Sequence, residues 1–128
     1  MPSAAASVPP LVKQQIDRWA EAWLTNTFTK YLHVRAQNPG RFNYPVAVFP
    51  EWRGRQFYLS VRYRVGGRAP TDVEEFVVRR TRMTLIGFGR FDLAYFRHTE
   101  RWFTTHRGLT AQQCFAEIEG NEVFWPTA

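Results

Sequence analysis

Arg62, Arg64, Arg79, Arg80, Arg82 and Arg90 sit close together along the chain, in stretches such as VRYRV and VVRRTRM, with Tyr58 and Phe76 beside them. A guanidinium group grips phosphate oxygens bidentately and stacks on flat rings, and an aromatic side chain stacks on a base. Those residue types on one strand face would suit recognition of a polyanion. A second chemistry uses His98 or His106 as an acid, Glu74, Glu75 or Glu100 as a base, and arginines to hold a phosphate. That set would serve a metal-independent ribonuclease, although no spacing selects one trio. His98, His106 and Cys114 are metal-ligand types, but a hairpin around Thr99-Glu100 would hold the two histidines roughly 15 Å apart. No Cys-x-x-Cys accompanies them, so neither metal nor cofactor is expected. Phosphate-cradling glycine loops are missing, and Ser60 lacks the strand-turn-helix signature of a hydrolase nucleophile.

Gly87-Phe88-Gly89-Arg90-Phe91 poses a separate question. Its first three residues match the Gly-aromatic-small core of an RNA-recognition strand. Ile86 stands where that signature needs a basic residue, and Phe91 arrives one position late, which in a strand means the opposite face. The better reading is a strand bent at its glycines. Phe91, Leu93 and Tyr95 then point to one side, and Phe88, Arg90 and Asp92 to the other.

Charge supports a polyanionic partner. The 128 residues carry a net +6, and only two of the 17 basic side chains are lysine. A GC-rich genome accounts for the choice of Arg over Lys, but not for the excess of positive charge. That excess lies in the middle: residues 53–109 hold twelve arginines against five acids, whereas residues 110–128 hold three acids and no base. One cysteine cannot staple a fold, the first residues lack the pattern of a secretion signal, and no apolar run would span a membrane. A cytoplasmic location without membrane contact is expected.

The elements that position these side chains follow from periodicity. After Pro9-Pro10, Val12, Ile16, Trp19, Trp23 and Phe28 recur at near-helical steps, with Lys13, Gln14, Asp17, Arg18 and Glu21 between them. This predicts an amphipathic helix over residues 11–32. Asn38-Pro39-Gly40 signals a turn, and YPVAVF (44–49) an edge strand flanked by prolines. QFYLSVRYRV (56–65) alternates cleanly and predicts a half-buried strand. Strands over 73–86, 88–98 and 101–106 follow. Pairing Val65 with Val73 would set Arg64 opposite Glu74, Arg62 opposite Phe76 and Tyr58 opposite Arg80. Thr110 and Gln113 form a capping box for a helix ending at Gly120, and EVFW (122–125) reads as a short strand. Trp19, Trp23, Phe57, Leu59 and Tyr63 are read as core in preference to a ligand pocket.

This order of motifs resembles a small bacterial family catalogued as domain of unknown function 3024. The resemblance rests on LVKQQIDRW, LSVRYRV, GRFDLAYFR, RWFTTH and the apolar tail VFW, and covers about residues 11–125. It departs from the family pattern at VEEFVVRR, which lacks an expected acid-x-Arg-Pro, and it implies a fold without an activity.

The expected architecture is α+β: an N-terminal amphipathic helix packed on an antiparallel β-meander of about five strands, then a short helix and a final short strand. Residues 1–10 would form a flexible tail and 11–128 one domain. The expected function is non-catalytic binding of RNA or DNA by a basic sheet face, with Arg62, Arg64, Arg80, Arg82 and Arg90 on phosphates and Tyr58 stacking. The alternatives are the ribonuclease described above and a protein–protein interaction subunit with an acidic partner.

Overall fold

A computed structural model describes residues 7–37, 43–69 and 71–125, with the backbone alone at 31 and 35–37. The expected turn at 38–40 and most of the expected tail lie outside the described residues. Helix α1 spans Pro10–Gln37. Its proline occupies the first turn, where a missing N–H breaks no helical bond. The buried stripe is Ile16, Ala20, Leu24 and Phe28, at steps of four residues, with Val12, Trp19 and Trp23 flanking it half-buried.

Five strands follow: β1 (Tyr44–Arg53), β2 (Gln56–Arg64), β3 (Glu75–Gly87), β4 (Arg90–Phe96) and β5 (Trp102–Thr110). They form one antiparallel meander in the order β1-β2-β3-β4-β5. β1 lies at an edge, as its prolines require, and the ladder slips beside Pro45, which has no N–H to offer. β5 runs without a loop into helix α2 (Ala111–Gly120). Thr110 and Gln113 make the anticipated reciprocal cap, with N–H to oxygen distances of 3.2 and 2.9 Å.

Both helices cover the same side of the sheet. Phe57, Leu59, Met83, Leu85, Phe91 and Leu93 meet Ile16, Leu24 and Phe28 of α1 and Cys114, Phe115 and Ile118 of α2 in one core. Trp19 stacks on Phe115 at 4.3 Å between ring centres and joins the two helices. Phe91 and Leu93 thus face inward, as their alternation with Arg90 and Asp92 predicts.

Three local expectations are corrected. Glu122–Phe124 is a 3-10 turn rather than a strand, because Asn121 caps it and Phe124 drops into the core. Gly87-Phe88-Gly89 does not bend one strand: it is the β3–β4 turn, with all three residues at positive φ and Phe88 fully exposed. The β2–β3 register also differs by one residue. Val65 N–H bonds to the Glu74 carbonyl, so Arg64 stands opposite Glu75 and Arg62 opposite Val77; past a bulge the offset grows to two residues, and Tyr58 stands opposite Arg82. The 66–73 connection is one residue longer than the alternation implies, and a bulge between Leu59 and Ser60 leaves Arg80 unopposed on β3.

Candidate functional site

The other side of the sheet carries no helix. Tracing the registers across it gives Phe49 and Glu51 from β1, Tyr58, Ser60, Arg62 and Arg64 from β2, and Glu75, Val77, Arg79 and Arg82 from β3. β4 adds Arg90, Asp92, Ala94 and Phe96, and β5 adds Trp102. Its centre is nevertheless closed to water: Ser60 is 0% exposed, Ala94 2% and Tyr58 7%. The cover consists of long side chains lying flat. Arg79 places its guanidinium 4.8 Å from the centre of the Tyr58 ring, and Arg82 lies 4.6 Å from that of Trp102.

Glu51 anchors this layer. It accepts from Arg79 Nε and from the Ser60 hydroxyl, each at 2.8 Å. Those bonds, Arg79's first, hold its carboxyl below the usual carboxylate range against the opposing effect of burial. Beside it, Phe49, Val77, Phe96 and Trp102 join Glu51 and Arg79 around a groove of about 630 Å³. Trp102 packs on Phe96 at 5.3 Å and on Tyr58 at 5.8 Å. Trp19, Trp52 and Trp125 donate their indole N–H within the fold. Trp102 has no such bond among the described residues.

The arginines singled out from sequence are divided by this geometry. Arg62 and Arg64 both turn to Glu75, at 3.7 and 2.6 Å. Bonds to Glu75 and the Tyr44 hydroxyl raise the Arg64 pKa further and keep it charged. Arg82 lies at the groove, and its Nε is buried without a protein acceptor. Arg90 sits at the far end of the face, with Nη1 3.3 Å from the Gly108 carbonyl oxygen and no carboxylate among the described residues. Arg80, displaced by the bulge, lines a separate hollow with Tyr95, His98 and Val123 on the helix side. Tyr58 lies beneath Arg79, and its hydroxyl donates to Gln56 Oε1 at 2.6 Å. The large ring beside the groove on this face is Trp102, which is half-buried under Arg82 and against Phe96.

His106 sits with the helices, 3.5 Å from Glu117 Oε2, while the phosphate-type arginines Arg62 and Arg82 are on the opposite side. His98 is in the β4–β5 turn. Burial pushes the Cys114 thiol up to about 12, so it remains protonated at neutral pH. Among the described residues no cluster of His, Cys, Asp or Glu suits a metal ion. Sequence reasoning passed over Trp102, Phe96 and Phe49. The consecutive rings of RWFTT show no alternation from which a face could be assigned.

Fold and face together define an α+β domain that buries one side of an antiparallel meander and leaves the other uncovered. The chain matches the family described as Domain of unknown function (DUF3024) over residues 8–126, and it belongs to that family. No curated protein and no solved structure matches it. No helix among the described residues is long and apolar enough to cross a membrane.

Proposed function

We propose that the uncovered sheet face binds single-stranded nucleic acid without catalysis, in the cytoplasm. The observation that carries this reading is the pairing at the groove: the Trp102 ring with the Arg82 guanidinium on it, an indole N–H free to donate, and Phe96 and Phe49 alongside. Single strands are held by rings that take a base face to face and by cations that track the backbone. Arg82 supplies the cation nearest the rings, with Arg62 toward one end of the face and Arg90 toward the other. Glu75 is shared by Arg62 and Arg64, so that cluster keeps one positive charge in excess. Arg80, on the helix side, has no part in this interface. A duplex, whose bases are stacked away, would meet only the cations and bind more weakly.

The test is a fluorescence-anisotropy titration with twelve-nucleotide single- and double-stranded oligonucleotides at two salt concentrations. Contacts from Arg62, Arg82 and Arg90 would give single-stranded binding a slope of about −2 in log K against log salt, at roughly −0.7 per phosphate. Absence of single-strand binding at low salt, or a preference for the duplex, would contradict the reading.

A further inference from the structure

The turn between β3 and β4 holds a large ring where the fold gains nothing from it. Phe88 is fully exposed, and its φ of 52° is a conformation that bulky L-residues rarely adopt. Gly87 and Gly89 flank it at φ 130° and 68°, so the loop is shaped to present this ring. Ile86, half-exposed, adjoins it. The surroundings are cationic. The Leu85 N–H bonds to the Arg55 carbonyl at 3.0 Å, which brings the β1–β2 turn, with Arg53 and Arg55, against this end of the sheet. Arg53, Arg55 and Arg90 have no carboxylate within ion-pair distance among the described residues, and all three are exposed. An exposed ring on a strained turn, at an end of the sheet that carries three exposed arginines without carboxylate partners among the described residues, fits a polyanion that also offers flat apolar faces.

We infer that Phe88 is a second base-stacking position for the same nucleic-acid strand, with Arg90, Arg53 and Arg55 holding the adjoining phosphates. This rests on the proposed function of the sheet face and adds a path to it. Along the uncovered face, Arg82, Arg107 (which pairs with Asp92 at 3.4 Å) and Arg90 lead from Trp102 toward the turn. β4 from Phe96 to Arg90 covers about 20 Å, and the turn carries Phe88 to about 25 Å from the groove. A strand stacked at the duplex rise of about 3.4 Å per nucleotide spans that distance with roughly seven nucleotides. Short oligonucleotides therefore reach the groove alone, while longer ones engage both rings.

Binding of a four-nucleotide and a twelve-nucleotide oligothymidylate is measured for the parent chain, Phe88→Ala and Phe88→Trp. Phe88→Ala weakens the longer ligand by about fivefold or more, the range of one lost base stack. It leaves the shorter ligand within about twofold, and Phe88→Trp retains the longer ligand's affinity. Because the ring touches no core residue, each variant folds, which thermal melting verifies. Equal binding of the twelve-mer by parent and Phe88→Ala overturns this inference and leaves the groove reading standing. Failure of the parent to bind either oligonucleotide overturns both. Phe88-dependent binding to phosphatidylglycerol vesicles, without oligonucleotide binding, makes the tip a membrane contact and also overturns it.

Discussion

Replacing Trp102 by alanine separates what its ring does for the fold from what it does for a ligand. The substitution removes two tilted ring contacts, to Phe96 at 5.3 Å and Tyr58 at 5.8 Å, and the cation–π contact with Arg82 at 4.6 Å. Each aromatic pair contributes about 0.5–1.5 kcal/mol beyond area, and a cation–π contact near the surface about 0.5–1 kcal/mol. Trp102 is half-buried and its neighbours relax into part of the space, so the expected destabilisation is about 2–3 kcal/mol. Unfolding entropy of about 2.1 cal/mol/K per residue means that, for 128 residues, each kcal/mol shifts the Tm by about 4 °C. A fall of about 8–12 °C in a calorimetric scan is predicted. Well below that midpoint the variant remains folded, and the missing ring should then cost oligonucleotide affinity about 1–3 kcal/mol, or roughly 5- to 150-fold. Trp102→Phe should recover most of both quantities. A Tm within about 2 °C of the parent together with unchanged affinity would refute the placement of this ring at the centre of the interface.

Glu51→Gln removes the partner that holds Arg79, so oligonucleotide affinity at low salt should rise and the salt dependence should steepen by about 0.7; an unchanged slope in the anisotropy series counts against it. Because Arg79 depresses the folded-state pKa of Glu51, its contribution to stability is present above the ordinary carboxylate pKa and fades as pH falls through the folded value. Acid denaturation curves should therefore show a shallower acid limb for Glu51→Gln than for the parent. Phe88→Asn relieves a left-handed conformation at no loss of packing and should raise stability by about 0.5–1 kcal/mol in urea melts, even as it weakens long-oligonucleotide binding. Cys114 is fully buried and its thiol pKa is raised from 9.0 to about 12, so it should resist a disulfide reagent at pH 8 in the native state and react on unfolding. Its part of the stability is complete below about pH 9 and declines toward about 12, a decline that Cys114→Ala should remove in alkaline melts.

Much of the fold was legible because its signals are local. The near-helical steps of Val12, Ile16, Trp19, Trp23 and Phe28 mark a helix whatever it packs against, although its fully buried stripe runs through Ile16, Ala20, Leu24 and Phe28 with the two tryptophans at its margin. The alternation through LSVRYRV similarly fixes which side of β2 is buried, and the Thr110–Gln113 cap needs only four residues. What escaped depends on pairing across strands. A connection one residue longer than expected moved Glu75 opposite Arg64, and the unopposed Arg80 carried its own side chain to the helix side. Arg79 therefore lies over Tyr58, where Arg80 was expected to be its neighbour. The aromatics of the uncovered face were hidden for the same reason: Trp102 and Phe103 are adjacent, and only the pairing of Trp102 with Phe96 assigns Trp102 to that face. Gly87-Phe88-Gly89 carried a readable turn signal, but the neighbouring strand residues favoured a bend over a reversal.

The central claim, that the uncovered sheet face is a nucleic-acid interface, is tested most directly by titrating an isotope-labelled sample with a single-stranded twelve-mer and following amide and indole N–H resonances. Binding there would shift the Trp102 indole N–H and the amides around Arg82, Phe96 and Arg90, and leave Trp19, Trp125 and α2 unmoved. Shifts concentrated on the helix side, or an unperturbed spectrum at saturating oligonucleotide, would contradict it.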